Sequence, residues 1–409
     1  WPLSGRFAKR KGEMSASLKR RALSQSFGPI LGQGDREAVE ILRRALESAR
    51  EGNWDQLTHG FHVWPARMHP AIVRSLIGAL APPRGVLLDP FAGSGTLGVE
   101  AMASGHDALL MDINPLSPLL VRTKTRITTH LERKAFLERA QAIAARSFAR
   151  IQERRFARAP LRPEHRALYA PHTLIELAGL LEEIRAASTD MDQSDREGLF
   201  TLFSSIVTKF SNLRADTSKE LVAKRIRKGL PTEFFLRKAR ELVRRWESIA
   251  PFAKSGGKIV AIQGDARKVD KVWPVSADLI ISSPPYGGTY DYIAHHALRL
   301  EWLALDTTLF EEGEIGARRH NDIERWEREL RDCLSSMRKS LKSPSSQIVL
   351  LIGDARIGGR AYDGLKQIAS IAPDCGLELV AWASQACIAL QSAHDWREHL
   401  VLLVPRAKK

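Results

Sequence analysis

Apolar positions along the chain fall into two patterns. Short, nearly continuous apolar runs closed by turn residues occur at 85–90, 107–112, 258–263, 277–282, 347–352, 377–383 and 399–404. Runs of this length, rich in Val, Ile and Leu, predict strands buried on both faces. At 69–80, 96–104 and 323–341 apolar residues recur every three to four positions, which predicts amphipathic helices. Strands alternating with helices build a mostly parallel sheet covered on both sides. The expected fold is α/β: a doubly wound, Rossmann-like sheet of seven strands, the last antiparallel.

The interval from Asn114 to Gly257 breaks the rhythm. It has no strand pattern but helical stretches at 130–157, 173–187 and 234–246, which predicts a large helical insertion. Four parts are expected: a basic arm and helix over 1–57, the first part of the main domain over 58–125, the insertion over 126–255, and the rest of the main domain over 256–409.

Charge changes this picture. Among 409 residues, 62 Lys and Arg face 47 Asp and Glu. Residues 131–250 carry 24 basic and 16 acidic side chains, densest at Lys224, Arg225, Arg227 and Lys228. A dispersed basic excess suits a polyanion through counterion release, although a solvated helical face has the same composition. The basic stretch Trp1–Arg21 is followed by no apolar segment, so it does not read as a secretory signal. No apolar run approaches the roughly 20 residues a membrane span needs. Three cysteines, at 333, 375 and 387, are too few and too scattered for a disulfide framework or a Cys-x-x-Cys pair. A soluble, cytoplasmic protein without a metal is expected.

Chemistry is concentrated in three places. Asp89-Pro90-Phe91-Ala92-Gly93-Ser94-Gly95-Thr96 follows one strand and opens a helix. Glycines at such a turn let a ligand approach the backbone at a helix N-terminus. Asp112 closes the next strand, where a carboxylate can accept both hydroxyls of a ribose. These two features suit a nicotinamide dinucleotide or S-adenosylmethionine equally. Ser283-Pro284-Pro285-Tyr286, just past another strand, is different in kind. Two prolines stiffen the segment and donate no backbone hydrogen bonds, so a carbonyl can be held outward. Ser283 Oγ and the Pro284 carbonyl could then accept the two hydrogens of an exocyclic base amine, with Tyr286 stacked on the base. Tyr290 and Tyr292 follow in a loop where they could contact a nucleic acid strand.

Taken together these motifs resemble those of the amino-group DNA methyltransferases. The resemblance runs over roughly residues 58–125 and 256–405 and includes Phe61–Pro70 and Gly264-Asp265-Ala266. It implies a methyltransferase domain that uses S-adenosylmethionine, with Pro70, Asp89, Phe91, Gly93, Gly95, Thr96, Asp112, Asp265 and Ala266 around the cofactor. It implies Ser283, Pro284, Pro285 and Tyr286 at the target amine. The Ser form of the motif is associated with cytosine N4, the Asp or Asn form with adenine N6. Double-stranded DNA with one flipped base is the implied partner, with a cognate restriction endonuclease acting separately. Lys224, Arg225, Arg227 and Lys228, with Tyr290 and Tyr292, are the expected DNA contacts, and the insertion the expected recognition region. Methylation at cytosine C5 is disfavoured, because enzymes of that kind present the thiolate they need in a Pro-Cys pair and no cysteine here follows a proline. The expected function is methyl transfer to cytosine N4 in a specific DNA sequence; an adenine-N6 DNA methyltransferase, an RNA base-amine methyltransferase and a nucleic-acid-binding protein with a degenerate fold remain as alternatives.

Overall fold

In a computed structural model, the structure describes residues 26–214, 218, 220–254, 256–317, 319, 322–387 and 396–407. The basic stretch Trp1–Arg21 lies outside the described residues.

The chain opens with β1 (Ser26–Gly34) and α1 (Arg36–Glu51), then α2 (Pro70–Leu80), β2 (Val86–Asp89), α3 (Thr96–Ser104), β3 (Asp107–Asp112) and α4 (Leu116–Thr125). Four long helices follow: α5 (His130–Gln152), α6 (Pro171–Ala187), α7 (Gln193–Val207) and α8 (Leu230–Ile249). The sheet resumes with β4 (Ile259–Gln263) and β5 (Leu279–Ser282), then α9 (Tyr292–Leu303), α10 (Thr308–Gly313) and α11 (Ile323–Ser340). β6 (Gln347–Gly353), the hairpin β7 (Ala355–Ile357) and β8 (Arg360–Tyr362), α12 (Gly364–Ile371), β9 (Leu377–Cys387) and β10 (Trp396–Pro405) complete it.

Eight of these strands form one sheet in the order β1-β9-β10-β6-β5-β2-β3-β4. β4, β3, β2, β5 and β6 run parallel, and β10 lies antiparallel between β6 and β9. The seven expected strands are all present and the last is antiparallel, but an eighth, β1, pairs antiparallel with β9 at the edge. Its sequence, Ser-Phe-Gly-Pro-Ile-Leu-Gly-Gln-Gly, carries three glycines and a proline, which lower strand propensity and are tolerated at edges and bulges. The register indeed shifts between Phe27 and Leu31.

Successive residues of the central strands serve opposite faces, which explains their unbroken apolar runs. Leu87, Ile281 and Leu351 pack under α1, α2 and α3. Leu88, Ile280 and Leu350 pack under α11 and α12. Order reverses between β2 and β5, so crossovers leave in opposite directions and open a crevice at their carboxyl ends.

Helices α5–α8 share a core of their own, built on Phe136, Leu181, Phe203, Phe235 and Trp246, which continues into Phe61, Met102 and Trp302 of the sheet-bearing part. Trp246 ties the two together: its ring meets Phe136 edge-on at 4.8 Å, and its indole N–H donates to the Thr123 carbonyl at 2.8 Å. Trp246→Ala should lower the free energy of unfolding by about 3–5 kcal/mol, read from the midpoint of urea denaturation.

Candidate active site at the carboxyl ends of the central strands

A cleft lies at the switch point. It is lined by Trp64, Arg67 and Met68 before α2, by Asp89, Phe91 and Gly93 after β2, and by Asp112 and Asn114 after β3. Asp265 and Ala266 after β4, Ser283 and Pro285 after β5, and Tyr292, Phe310, Glu314 and Ile315 complete the wall.

The glycine turn is held by backbone and carboxylate together. Ala92 N–H donates to the Met111 carbonyl at 2.9 Å, and Gly95 N–H to the Ala92 carbonyl at 2.7 Å. Gly93 has a φ of +50° and Gly95 one of +82°. A Cβ on Gly93 would stand 3.0 Å from the Trp64 indole nitrogen across the cleft, so this glycine keeps the mouth open. The constraint at Gly95 is internal instead, since its Cβ would lie 2.8 Å from Val121. Gly95 does not face the cleft.

Two buried carboxylates define the electrostatics. Asp112 Oδ2 accepts the Gly93 N–H at 2.7 Å and Oδ1 the Asn114 N–H at 2.9 Å. Asp89 Oδ1 accepts the Phe91 N–H at 3.0 Å and the Ser282 hydroxyl at 2.6 Å. Burial outweighs these bonds and pushes Asp89 up to about 7, with neighbouring Asp112 adding to the rise. Burial likewise raises Asp112 to about 6. Asp112 occupies the Gly93 N–H that a pyrophosphate would need, and a pair of acidic groups repels phosphate. The turn thus favours hydroxyls and a cation over phosphate.

A fully buried lysine stands behind the turn. Lys124 Nζ donates to the Ser94 carbonyl at 2.8 Å, while Thr58 Oγ1 donates to the Lys124 carbonyl at 2.9 Å. Burial, followed by the charges of Arg67, Arg245 and Lys238, pushes this amine well below the usual lysine range. His59 and Glu100 continue the support: His59 Nε2 lies 2.7 Å from Glu100 Oε1, and Arg67 donates to the His59 carbonyl. Through them the stretch before α2 is fixed against α3.

The expected site residues are placed unevenly. Asp89, Phe91, Gly93, Thr96, Asp112, Asp265, Ala266, Ser283, Pro285 and Tyr292 line the cleft. Pro70 is buried at the first turn of α2, where it starts the helix, and its neighbours Trp64, Arg67 and Met68 form the wall. Asp265 turns both oxygens to the Arg267 guanidinium, at 2.8 Å from Nη2 to Oδ2. Pro284 is buried, and so is Tyr286, whose ring abuts Gly353 and whose hydroxyl lies 3.4 Å from Glu398 Oε1. Tyr290 is half-buried against the Tyr292 ring, at 5.5 Å. Of the basic cluster, Arg227 is forked onto Glu233, Lys224 Nζ donates to the Leu213 carbonyl, and Arg225 and Lys228 are exposed. Cys333 and Cys375 are buried, with thiol pKa values raised by burial.

Sequence reasoning missed the wall formed by Phe310, Glu314 and Ile315. Its signal was Gly313 and Gly316 bracketing Glu-Ile, a turn pattern without recognisable chemistry. Glu314 is only 3% exposed; its carboxylate accepts the Tyr292 N–H and pairs with Arg319.

Residues 25–116 match a family model described as DNA methylase. Over that stretch the chain is similar to the amino-group DNA methyltransferase family, and its curated relatives carry the same likeness. It is 25% identical over 282 residues to the type II methyltransferase M.MvaI of Kocuria varians, across 62% of this chain and 59% of that enzyme. It is 26% identical over 301 residues to the type II methyltransferase M.BsoBI of Geobacillus stearothermophilus, across 66% of this chain and 57% of that enzyme. The chain thus spans under three fifths of these relatives' length. An rRNA methyltransferase from Streptomyces viridochromogenes overlaps 88% of the chain and 96% of its own, at 12% identity and a TM-score of 0.34. A methyltransferase dependent on S-adenosylmethionine from Methanosarcina mazei gives 11% identity and 0.32 over 81% of this chain and 98% of its own. Overlap that loose carries no argument.

The family's cofactor is S-adenosylmethionine, and the residues present fit it. Asp112 has the spare acceptor capacity for ribose hydroxyls, Asp89 supplies a buried carboxylate for a cationic group, and Trp64, Phe91 and Ile113 give apolar walls.

Two outcomes are expected. Because the ionised carboxylates do the binding, cofactor affinity should be highest above about pH 7.5. It should fall about tenfold per unit between about pH 7 and 6, as Asp89 takes up its proton, and about a hundredfold per unit below about pH 6, where Asp112 does so as well, with Asp112→Asn abolishing the lower step, read by titration calorimetry from pH 5 to 8. A flat profile would remove both carboxylates from the cofactor site. Lys124→Met leaves the Ser94 carbonyl without its donor and should weaken cofactor binding about tenfold, measured in the same calorimeter at pH 8.

Proposed function

We propose that this protein transfers a methyl group from S-adenosylmethionine to the exocyclic N4 amine of cytosine in a specific sequence of double-stranded DNA. The base is rotated out of the duplex into the cleft. The observation that carries this reading is that Ser283, at the end of β5, lines the same cleft as Gly93 and Asp112, at the ends of the neighbouring β2 and β3.

The cofactor supplies a methyl group on a sulfonium, a good leaving group. The amine's lone pair forms the new C–N bond, the C–S electron pair leaves with sulfur, and one amine proton is lost afterwards. What the protein must supply is position and desolvation. Ser283 Oγ and the Pro284 carbonyl accept the amine hydrogens in this reading, drawing the nitrogen towards sp³. The Pro285 carbonyl is engaged elsewhere, by the Trp326 indole at 3.1 Å. A neutral serine as acceptor leaves no additional charge buried beside Asp89, and in this family it is associated with cytosine. Tyr292, half-buried in the cleft wall with its phenol pKa raised by desolvation, offers a ring to the base.

Arg225 and Lys228, exposed in the segment that precedes α8, are available for phosphates, while Arg227 and Lys224 are committed to partners within the protein. The helical region over 126–255 is the proposed recognition element, and a cognate restriction endonuclease the proposed separate companion.

The test is incubation with S-adenosylmethionine and unmodified genomic DNA, followed by digestion and mass spectrometry of nucleosides. N4-methylcytosine is expected, and Ser283→Ala should lower its rate of formation at least 100-fold while cofactor affinity stays within about twofold. N6-methyladenine would overturn the base assignment. Methylation of RNA alone, or of nothing, would overturn the DNA reading.

A further inference from the structure

We propose that Trp326 is the positioning residue of the Ser283–Gly288 turn, its indole setting the distance between that turn and the opposite wall of the cleft. The inference rests on the methyl-transfer reading above. Trp326 lies in the first turn of α11 and is only 2% exposed. Its Nε1–H donates to the Pro285 carbonyl at 3.1 Å. The ring is flanked by two glycines from the two loops that form the cleft's outer half. A Cβ on Gly287 would stand 3.1 Å from Trp326 Cδ2, and one on Gly316 would stand 2.8 Å from Cδ1. The two loops are also joined to each other, Gly288 N–H donating to the Gly316 carbonyl at 3.0 Å.

Each loop contributes to the cleft: Ser283 and Pro285 from one, Gly313, Glu314 and Ile315 from the other. Pro284 and Pro285 have no N–H, so the turn cannot be stitched to a neighbouring strand from its donor side. Beside the Gly288 N–H, the Pro285 carbonyl is a second handle on the turn, and Trp326 takes it from a helix locked on the sheet through Leu330, Leu334 and Met337. Behind the turn, Ile357 of the β7–β8 hairpin closes on Gly287, where a Cβ would lie 2.5 Å from Cδ1. One indole therefore fixes the height of Ser283 above the cofactor turn and the width of the base slot. Trp326 touches neither reactant; it acts through Pro285.

The test uses Trp326→Phe, which keeps an aromatic ring and removes the N–H. At saturating cofactor and genomic DNA, the methyl-transfer rate should fall 10- to 100-fold, while the cofactor dissociation constant and the melting temperature stay close to those of the parent. An unchanged rate would overturn the proposal. Should Trp326→Phe unfold, Gly287→Ala wedges a methyl group between the turn, Ile357 and the indole ring without altering the sequence of α11. The same split between rate and cofactor affinity supports the proposal there, and parental kinetics overturn it. If the parent protein methylates nothing, the reaction reading fails on its own. Amide hydrogen exchange then decides the anchor: faster exchange at Tyr286–Gly288 in Trp326→Phe supports it, and unchanged exchange overturns it.

Discussion

Burying two carboxylates side by side is costly, and the rest of the cleft is arranged around that cost. Asp89 and Asp112 end neighbouring parallel strands, so the topology brings them together whether or not a ligand is present. Each is partly compensated by backbone N–H groups of the turn it adjoins, and Asp89 also by Ser282. The compensation is incomplete, which is why both hold their protons more tightly than an exposed aspartate. A ligand bringing hydroxyls and a positive charge completes it, whereas one bringing phosphates makes it worse.

The hydrogen bond from Ser282 to Asp89 has a second consequence. It joins the residue before the Ser283–Tyr286 segment, the proposed catalytic motif, to the residue that begins the glycine turn, across the β2–β5 pair. The two halves of the proposed reaction are thus referenced to one pair of strands. Around them the support is layered: Lys124 and the His59–Glu100 pair hold the cofactor side, and Trp326 holds the amine side. None of these supporting groups reaches the cleft surface except through a backbone carbonyl.

The helical region between α4 and β4 is more than an appendage. Its core is continuous with the sheet-bearing part through Phe61, Met102 and Trp302, and the Trp302 indole N–H donates to the Tyr169 hydroxyl at 3.0 Å. Trp246 reaches the carbonyl of Thr123, next to Lys124, whose amine holds the cofactor turn. Packing in the helices is in this way linked to the turn through two consecutive residues of α4.

The sequence alone determined the α/β class, the seven strands with the last antiparallel, the helical interruption, and the two acidic strand ends beside a glycine turn. Each depends on local chemistry: apolar runs of strand length, helical periodicity, glycine where a backbone must bend sharply. It did not disclose β1, because an edge strand with three glycines and a proline has no strand propensity and forms only when β9 offers a partner. Nor could it show that Gly95 answers to Val121 rather than to a ligand, or that Pro70 starts a helix while Trp64 and Met68 make the wall. That Tyr286 packs on Gly353, and that Trp326 grips Pro285 from 41 positions away, were likewise decided by tertiary structure. Which side of a turn faces a cleft, and what stands behind it, is set by residues far apart in the chain, and only packing brings them together.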